Sequence, residues 1–305
     1  MPNTPTPPEA RRHITGVFLL DKPFGLSSNA ALQRVRRLFA ARKAGHTGTL
    51  DPHATGLLAI CLGEATKFSG WLLDAPKRYE ARIRLGFTSD TGDGEGAIVP
   101  QRPFTGDEAL LRSVLERFRG PLMQRPPMHS ALKVDGKPLY RYAREGTTIS
   151  REPRAIEVLE QRLLDWDGQT LTLDLTVSKG TYIRVLAEDI GTALGCGGYL
   201  SGLNRTGAGP FALSAATSLE TLEGLSLGER DGLLQPVDAL LQHMPRLALN
   251  LAHSADVQHG RTVMPGLEDA PGQRFRVYGP DACFLGVCEV TADQRLHPTR
   301  MMAEE

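Results

Sequence analysis

Cysteine and long apolar runs are both scarce in this sequence of 305 residues. Its four cysteines show no C-x-x-C spacing, and in a chain of this size that favours free thiols in a reducing cytoplasm over a disulfide framework. No run of about 18 apolar residues occurs, so we expect neither a membrane-spanning helix nor a membrane partner. With 41% hydrophobic and 23% charged residues, the composition is that of a globular protein with a sizeable core.

Several motifs that mark cofactor and metal sites are also missing. There is no G-x-x-x-x-G-K-[ST] loop for nucleotide phosphates, and the GCGG segment at residues 195–198 fails G-x-G-x-x-G because Leu200 holds the last position. The eight histidines show no H-E-x-x-H or paired Cys/His spacing. Asp90, Asp93 and Glu95 lack the spacing of a calcium loop, and we interpret them as turn residues of a hairpin. We therefore expect no metal site and no redox cofactor.

Charge is balanced overall but unevenly distributed along the chain. Lys and Arg number 35, as do Asp and Glu. Residues 1–50 carry eight basic against two acidic side chains, and residues 117–154 carry nine against three, a net of +6 in each segment. The rest of the chain must then sum to −12. Such asymmetry predicts that two segments face a polyanion such as RNA, with solvated helix faces as the alternative.

Hydrophobic periodicity predicts a mixed α+β fold. Alternating or continuous apolar runs predict strands at 16–20, 57–62, 79–85 and 170–177. Helical spacing predicts a basic amphipathic helix after the N-cap candidates Ser27 and Ser28, a second helix at 107–119, and a third that follows a turn at Gly180 and ends near Gly195. Because no strict βαβ repeat exists, we expect a mixed, largely antiparallel sheet flanked by helices.

Changes in composition along the chain predict three regions. Residues 1–13, rich in Pro and Thr, are expected to form a disordered tail. Residues 14–243 are expected to form the main domain. From 244 to 305 the strand-like runs 247–251, 275–278 and 283–290 alternate with Gly, Pro and Asp, which predicts a small β-barrel-like module.

The residues best suited to chemistry lie in three short stretches. A glycine-rich and threonine-rich loop at 45–56 has Asp51 at its centre, although Asp before Pro is also a common helix start. The segment 178–184 ends in Arg184, and Tyr79 opens a predicted strand. Taken singly, the last two are explained by a solvated arginine and a core tyrosine. Together the three side chains are able to hold a nucleoside, with the arginine keeping the carboxylate ionised and the ring stacking on a base.

The loop and several further motifs resemble the TruB family of tRNA pseudouridine-55 synthases. The loop contributes HTGTLDPHATG at 46–56. The other matching motifs occur in the family's order and extend the resemblance over roughly residues 16–211: LDKPFGLSS at 20–28, GEATK at 63–67, KRY at 77–79, PPMHSALK at 126–133, LY at 139–140, AR at 143–144 and SKGTYIR at 178–184. Two positions depart from the family pattern, because His129 stands where Tyr is usual and Asn204 where Arg is common.

The resemblance implies a role for individual residues. Asp51 becomes the catalytic carboxylate, Arg184 its partner and Tyr79 the ring that stacks on the target base. Further positions implied to bind the substrate are Tyr182 and Leu203 in the pocket, His46 against the opened T-loop, Lys22 and Pro23 in a bordering loop, and Arg141 and Arg144 on RNA.

The same resemblance implies an architecture and partners. Residues 14–243 become a pseudouridine-synthase core, about 124–154 an RNA-clasping insertion, and 244–305 a C-terminal module like the PUA RNA-binding domains. The implied reaction isomerises a flipped-out uridine, position 55 in the T-loop of tRNA, with nothing oxidised or added, so no cofactor is expected. The expected partner is the tRNA T-arm, and the chain is expected to act as a monomer without a protein partner in the cytoplasm.

Two other functions stay open at this point. One is an RNA chaperone that binds and refolds tRNA, either as the main role or as a secondary activity beside modification. The other is a guide-RNA-dependent pseudouridine synthase subunit, although such proteins usually carry longer and more basic tails than this neutral chain. Activity of the purified chain alone on an unmodified tRNA transcript would discriminate among them.

Overall fold

The computed structural model describes residues 11–267 and 270–303. The predicted disordered tail, 1–13, therefore lies mostly outside the described residues. Within its last three positions, Arg12 donates its backbone N–H to the carbonyl of Ala40 at 2.8 Å and forms an ion pair with Asp231. The proposed domain boundaries remain predictions.

Strands and helices alternate through the described ranges. The strands are β1 Gly16–Lys22, β2 Ala44–His46, β3 Ala54–Leu62, β4 Lys77–Leu85, β5 Phe87–Ser89, β6 Ile98–Pro100, β7 Gly120–Gln124, β8 Lys133–Val134, β9 Lys137–Pro138, β10 Arg154–Trp166, β11 Thr170–Val177, β12 Gly198–Ala208, β13 Phe211–Ala212, β14 Thr217–Ser218, β15 Arg246–Ala248, β16 Arg274–Tyr278, β17 Phe284–Val290 and β18 Leu296–Met301. The α-helices are α1 Ser28–Leu38, α2 Ser69–Asp74, α3 Glu108–Glu116, α4 Leu139–Arg144, α5 Ile183–Ala193, α6 Leu219–Gly224, α7 Leu227–Asp231 and α8 Leu251–Gln258. Short 3-10 turns cover Gly63–Lys67, Leu213–Ala215 and Val237–Leu241.

A large mixed sheet forms the centre of the molecule. Its main path runs β14-β1-β3-β12-β4-β11-β10-β7, and β2 and β13 pair with β3 and β12 respectively. Two of its pairings, β1 with β14 and β3 with β12, are parallel, and the others are antiparallel. The predicted α+β class with a largely antiparallel sheet is therefore confirmed. The parallel pairing of β3 with β12 matters most for function, because it brings the loop before β3 next to the middle of β12.

Local sequence explains the elements that carry the site. In β4 every second residue from Lys77 to Leu85 is buried, as the alternation predicted. Helix α1 begins where Ser27 accepts a hydrogen bond from the backbone N–H of Ala30. Helix α5 packs closely on β12, because a Cβ placed on Gly191 would lie 2.1 Å from the backbone nitrogen of Gly198.

Two expectations need correction, and some strands were not predicted. The loop predicted at 45–56 is shorter, because β2 and β3 occupy both of its ends. The strand predicted at 247–251 ends at Ala248, and helix α8 starts at Leu251, where Asn250 caps it by accepting a hydrogen bond from the His253 backbone. Strands β10 and β12 were not predicted, since the charged and glycine-rich stretches that form them lack clean alternation.

The C-terminal module is a four-stranded sheet, β15-β16-β17-β18, with helix α8, as expected for a PUA-like unit. It packs on the main domain through aromatic contacts: the ring centroids of Phe68 and Phe284 lie 5.5 Å apart. Tyr278 also donates its hydroxyl to Asp238 at 2.6 Å. These two contacts fix the module against Phe68, which follows β3, and against Asp238 in the 3-10 helix Val237–Leu241.

Candidate active site

A tight turn between β2 and β3 presents Asp51. Ser28, at the start of α1, both donates to the carbonyl of Leu50 at 2.8 Å and accepts from its N–H at 2.7 Å. On the other side, the backbone N–H of Gly25 donates to the carbonyl of Pro52 at 2.8 Å. The turn is not a helix start, so the capping explanation for Asp51 before Pro52 does not apply. Hydrogen bonds on both flanks instead hold the carboxylate in place.

Asp51 forms an ion pair with Arg184, as the sequence predicted. The Nε of Arg184 lies 3.0 Å from Oδ2 of Asp51. Arg184 sits in the first turn of α5 with its side chain 7% exposed. Its two terminal nitrogens donate to the carbonyls of Thr91 at 3.1 Å and His129 at 2.7 Å. The guanidinium is therefore fixed from three directions, and the 40% exposed Asp51 carboxylate is its solvent-facing partner.

A second carboxylate, which the sequence did not predict, shares the same arginine. Oδ2 of Asp93 lies 3.4 Å from Nε of Arg184, and the Asp93 side chain is 9% exposed. Asp93 does lie in the turn between β5 and β6, as expected, but the fold of that hairpin against α5 adds a charge to the site. Burial raises the pKa of Asp51, Arg184 lowers it, and the charge of Asp93 raises it again. Arg184 is thus the main group that favours the ionised form of Asp51.

A cavity of about 290 Å³ opens beside this pair. Tyr79, on β4 and 9% exposed, and Leu203, on β12, form part of its wall. Tyr182, the N-cap residue of α5, also lines the cavity, and the predicted insertion contributes Ser130 and Ala131 to the wall. The cavity therefore collects the loop carboxylate, its arginine and an aromatic ring from separate parts of the chain, as the nucleoside hypothesis required.

Two buried cations that the sequence analysis missed line the same cavity. Arg205, on β12, is 2% exposed, and Lys77, at the start of β4, is 7% exposed. Arg205 faces Tyr79 across the β12–β4 ladder. No local pattern marked either residue, because the stretch around Arg205 was not predicted as a strand and Lys77 was treated only as a neighbour of Tyr79.

Lys22 and Pro23 border the site without lining this cavity. Lys22 is fully buried and donates to the carbonyls of Pro23 at 2.9 Å, Leu26 at 2.7 Å and Pro52 at 3.4 Å. Burial lowers the pKa of Lys22 to about 8, and the charge of Asp51 acts in the opposite direction. The ammonium joins the loop after β1 to the turn that carries Asp51, which makes Lys22 a support of that turn.

The remaining predicted RNA contacts lie outside the cavity. His46 is on β2, where its buried Nδ1 has no hydrogen-bond partner within the described ranges. Burial, together with the charge of Arg205, lowers the pKa of His46. Arg141 and Arg144 are exposed on α4, and the guanidinium of Arg144 lies 5.5 Å from the Tyr140 ring centroid.

The two departures from the family pattern have different consequences. His129 lies at the site and supplies Arg184 with a backbone carbonyl, which any residue at that position provides. Asn204 lines a neighbouring cavity, where its Oδ1 accepts a hydrogen bond from Thr55 at 3.3 Å. Neither change alters the groups around Asp51.

In the described ranges, no group of three or more His, Cys, Asp or Glu side chains is arranged to hold a metal ion. Over those ranges, too, no helix has the length and apolar character needed to cross a membrane. The four cysteines are free, and Cys283 is the exposed one.

Comparison with protein families gives consecutive matches along the chain. Residues 36–183 match the N-terminal domain of TruB family pseudouridylate synthases. Residues 184–242 match the tRNA pseudouridylate synthase B C-terminal domain, and 245–302 match a segment described as pseudouridine synthase II TruB, C-terminal.

Curated relatives match over nearly the whole chain. A tRNA pseudouridine synthase B of Chromobacterium violaceum is 49% identical over 300 residues, which cover 98% of each chain. Proteins of the same description from Burkholderia mallei and Azoarcus sp. are each 50% identical, covering 96% and 97% of this chain and 97% of each relative.

Solved structures agree at the level of the fold. A chain in a crystal structure of a Cbf5-Nop10-Gar1 complex aligns with a TM-score of 0.72 at 27% identity, and the alignment covers 100% of this chain and 90% of that one. A chain in an H/ACA RNP bound to a substrate RNA containing 2′-deoxyuridine aligns with the same TM-score at 23% identity, covering 95% and 85%.

The mixed sheet, the Asp51–Arg184 pair beside Tyr79 and these matches together define an isomerase of the pseudouridylate synthase class. More specifically, the chain belongs to the TruB family of pseudouridylate synthases.

Proposed function

We propose that this chain isomerises uridine 55 in the T-loop of tRNA to pseudouridine, with Asp51 as its catalytic carboxylate. The description of its relatives as tRNA pseudouridine synthases B supports the choice of RNA. The observation that carries the assignment of Asp51 is its 3.0 Å ion pair with the buried Arg184 at the wall of a cavity that also holds Tyr79.

The proposed reaction uses groups that line the cavity. The bond from N1 of uracil to C1′ of ribose breaks, the base turns, and a C5–C1′ bond forms, while C5 loses its proton and N1 gains one. The ionised Asp51 can attack C1′, add to C6, or assist loss of a proton at the sugar. All three roles need the anion, and Arg184 favours that form while remaining protonated itself. Tyr79 lines the cavity, which supports its proposed role of stacking on the base.

The target nucleotide must leave its stack to reach Asp51, at a cost of about a few kcal/mol. Ser130 and Ala131, from the predicted insertion, line the cavity and support a role for that segment in closing over the RNA. The exposed Arg141 and Arg144 of α4 belong to the same segment and are available to phosphates. His46 is the proposed residue that fills the gap left in the T-loop.

The test is pseudouridine formation by the purified chain alone on an unmodified tRNA transcript. We expect Asp51→Asn to lower the single-turnover rate by more than about a thousandfold with tRNA affinity nearly unchanged, because Asn is almost isosteric but carries no charge. Asp256→Asn is a matched control: its side chain is also 40% exposed and lies 3.1 Å from Arg261. Residual activity of Asp51→Asn within about tenfold of the wild type would refute the assignment.

We also propose a secondary tRNA-folding activity that does not need the chemical step and that uses the exposed Arg141 and Arg144, outside the cavity, to bind RNA. The Asp51→Asn protein should then still accelerate refolding of a misfolded tRNA transcript. We also propose that the chain works as a cytoplasmic monomer, which sedimentation of the purified protein with and without tRNA would test. A requirement for an added guide RNA or protein in the transcript assay would favour the guide-dependent alternative.

A further inference from the structure

We propose that Arg205 binds the phosphodiester next to the target nucleotide, and that Lys77 adds positive charge to this phosphate subsite. The inference rests on the proposed function, since it assumes that an RNA nucleotide enters the cavity. It assigns a ligand to a part of the cavity that the Asp51–Arg184 pair does not use.

Arg205 is a buried cation that pairs with no carboxylate among the described residues. Its Nε donates to the carbonyl of Leu57 at 2.6 Å and one terminal nitrogen, Nη2, donates to the carbonyl of Gly48 at 3.2 Å. The other terminal nitrogen, Nη1, has no hydrogen bond or ion pair among the described residues. Arg205 lines the cavity, and Gly48, with no side chain, leaves Nη1 open: a Cβ at position 48 would lie 3.6 Å from it.

Lys77 adds a second positive charge nearby. It also lines the cavity and donates to the carbonyls of Leu72, Leu73 and Ala75 at the end of α2, but it forms no ion pair in the described part of the chain. Burial, and after it the charge of Arg205, lower the pKa of Lys77 to about 8. The charge of Asp74 raises the pKa of Lys77, but that carboxylate accepts a hydrogen bond from Lys179 at 2.8 Å.

Two cations buried side by side are costly unless an anion joins them. The cavity already supplies a ring for the base and a carboxylate for the ribose, so the component of a nucleotide still without a partner is its phosphate. Arg205 is directly opposite Tyr79 on the neighbouring strand, and paired residues in an antiparallel ladder point to the same face. A base held by Tyr79 would therefore bring its own phosphodiester to the open Nη1.

The experiment measures binding of T-arm stem-loop RNAs in which an uncharged methylphosphonate replaces the phosphodiester on the 5′ or the 3′ side of the target uridine. Full-length protein carrying Asp51→Asn, to prevent turnover, is compared with the same protein carrying Arg205→Met. At one of the two positions, the methylphosphonate should weaken binding by about tenfold to a hundredfold when Arg205 is present, the range of a charge-assisted hydrogen bond. It should have less than about a twofold effect in Arg205→Met.

This comparison separates binding of phosphate from a structural role. If Arg205 had only a structural role, through its hydrogen bonds to Leu57 and Gly48, then Arg205→Met would weaken binding of all RNAs alike. The effect of the methylphosphonate would then be the same with and without Arg205. Arg205→Met should also lower the slope of log affinity against log salt by about 0.7, the value for one phosphate on a single strand. The readout is affinity, so retained activity of Asp51→Asn would refute the proposed catalytic residue without touching this inference.

Two results would overturn the phosphate subsite. One is that neither methylphosphonate weakens binding to protein that retains Arg205. This measurement needs no Arg205 variant, so it remains valid even if Arg205→Met fails to fold. The other is equal weakening with and without Arg205. Arg205→Lys keeps the charge but loses the planar fork, so it should retain part of the dependence on the phosphate.

Discussion

Replacing Arg184 by Met should destabilise the protein and shift its activity to higher pH. The guanidinium contacts four acceptors: the carboxylates of Asp51 and Asp93 and the carbonyls of Thr91 and His129. Met has a similar length but no charge and no donor. The substitution therefore leaves two neighbouring carboxylates and two carbonyls without the guanidinium that joins them.

The size of the loss follows from burial. Removing one partner of a buried ion pair costs about 3–5 kcal/mol. Asp93 is 9% exposed and should bear most of that cost, whereas water reaches the 40% exposed Asp51 and reduces its share. We therefore expect the free energy of unfolding to fall by about 3 kcal/mol at about pH 8. Arg184→Lys keeps the charge and should lose about 1–2 kcal/mol in hydrogen bonds.

The pH dependence has a definite sign. Burial already raises the folded-state pKa of Asp51, and Arg184 is the largest effect that opposes the rise. Without Arg184 that pKa must rise further. A carboxyl group whose pKa is higher in the folded state than in the unfolded state loses stability as the pH rises through the folded value. The deficit of Arg184→Met should therefore shrink towards about pH 5, and the acidic limb of its rate profile should move to higher pH.

Urea unfolding at the two pH values and single-turnover rates across the range would test both effects. Arg162→Met is a matched control: Arg162 lies 3.2 Å from Asp174 but is 69% exposed, and its loss should change stability by less than about 0.5 kcal/mol. If Arg184→Met is slower but its acidic limb does not move, Arg184 acts by positioning alone and the charge argument is wrong.

Two further predictions concern RNA binding and strand pairing. Neutralising Arg141 and Arg144 together should reduce the slope of log tRNA affinity against log salt by about one to two, and an unchanged slope would mean that they form only a solvated helix face. Gly56→Ala should cost at least about 1–3 kcal/mol in urea unfolding, because φ is +96° and the new Cβ would lie 2.3 Å from Oδ1 of Asn204. Gly70→Ala, in open space on α2, should show no such loss.

Local patterns were sufficient where a segment's structure depends mainly on its own residues. Alternation in β4 and β11, and the serine cap of α1, are properties of single segments. The pairing of Asp51 with Arg184 was also predicted, through motif resemblance and the chemistry of the two side chains, and the 3.0 Å distance agrees with it.

The sequence alone thus determined the class of fold, the turn that carries Asp51 and the identity of its arginine and aromatic neighbours. Only the tertiary structure decided that Asp93 and Arg205 complete the site. Thr91, in the same turn as Asp93, is 93 positions from the arginine that it contacts, and Leu57 is 148 positions from Arg205. Such contacts arise when hairpin β5–β6 folds against α5 and when β12 pairs in parallel with β3, and periodicity within one segment carries no information about which distant segment it will meet.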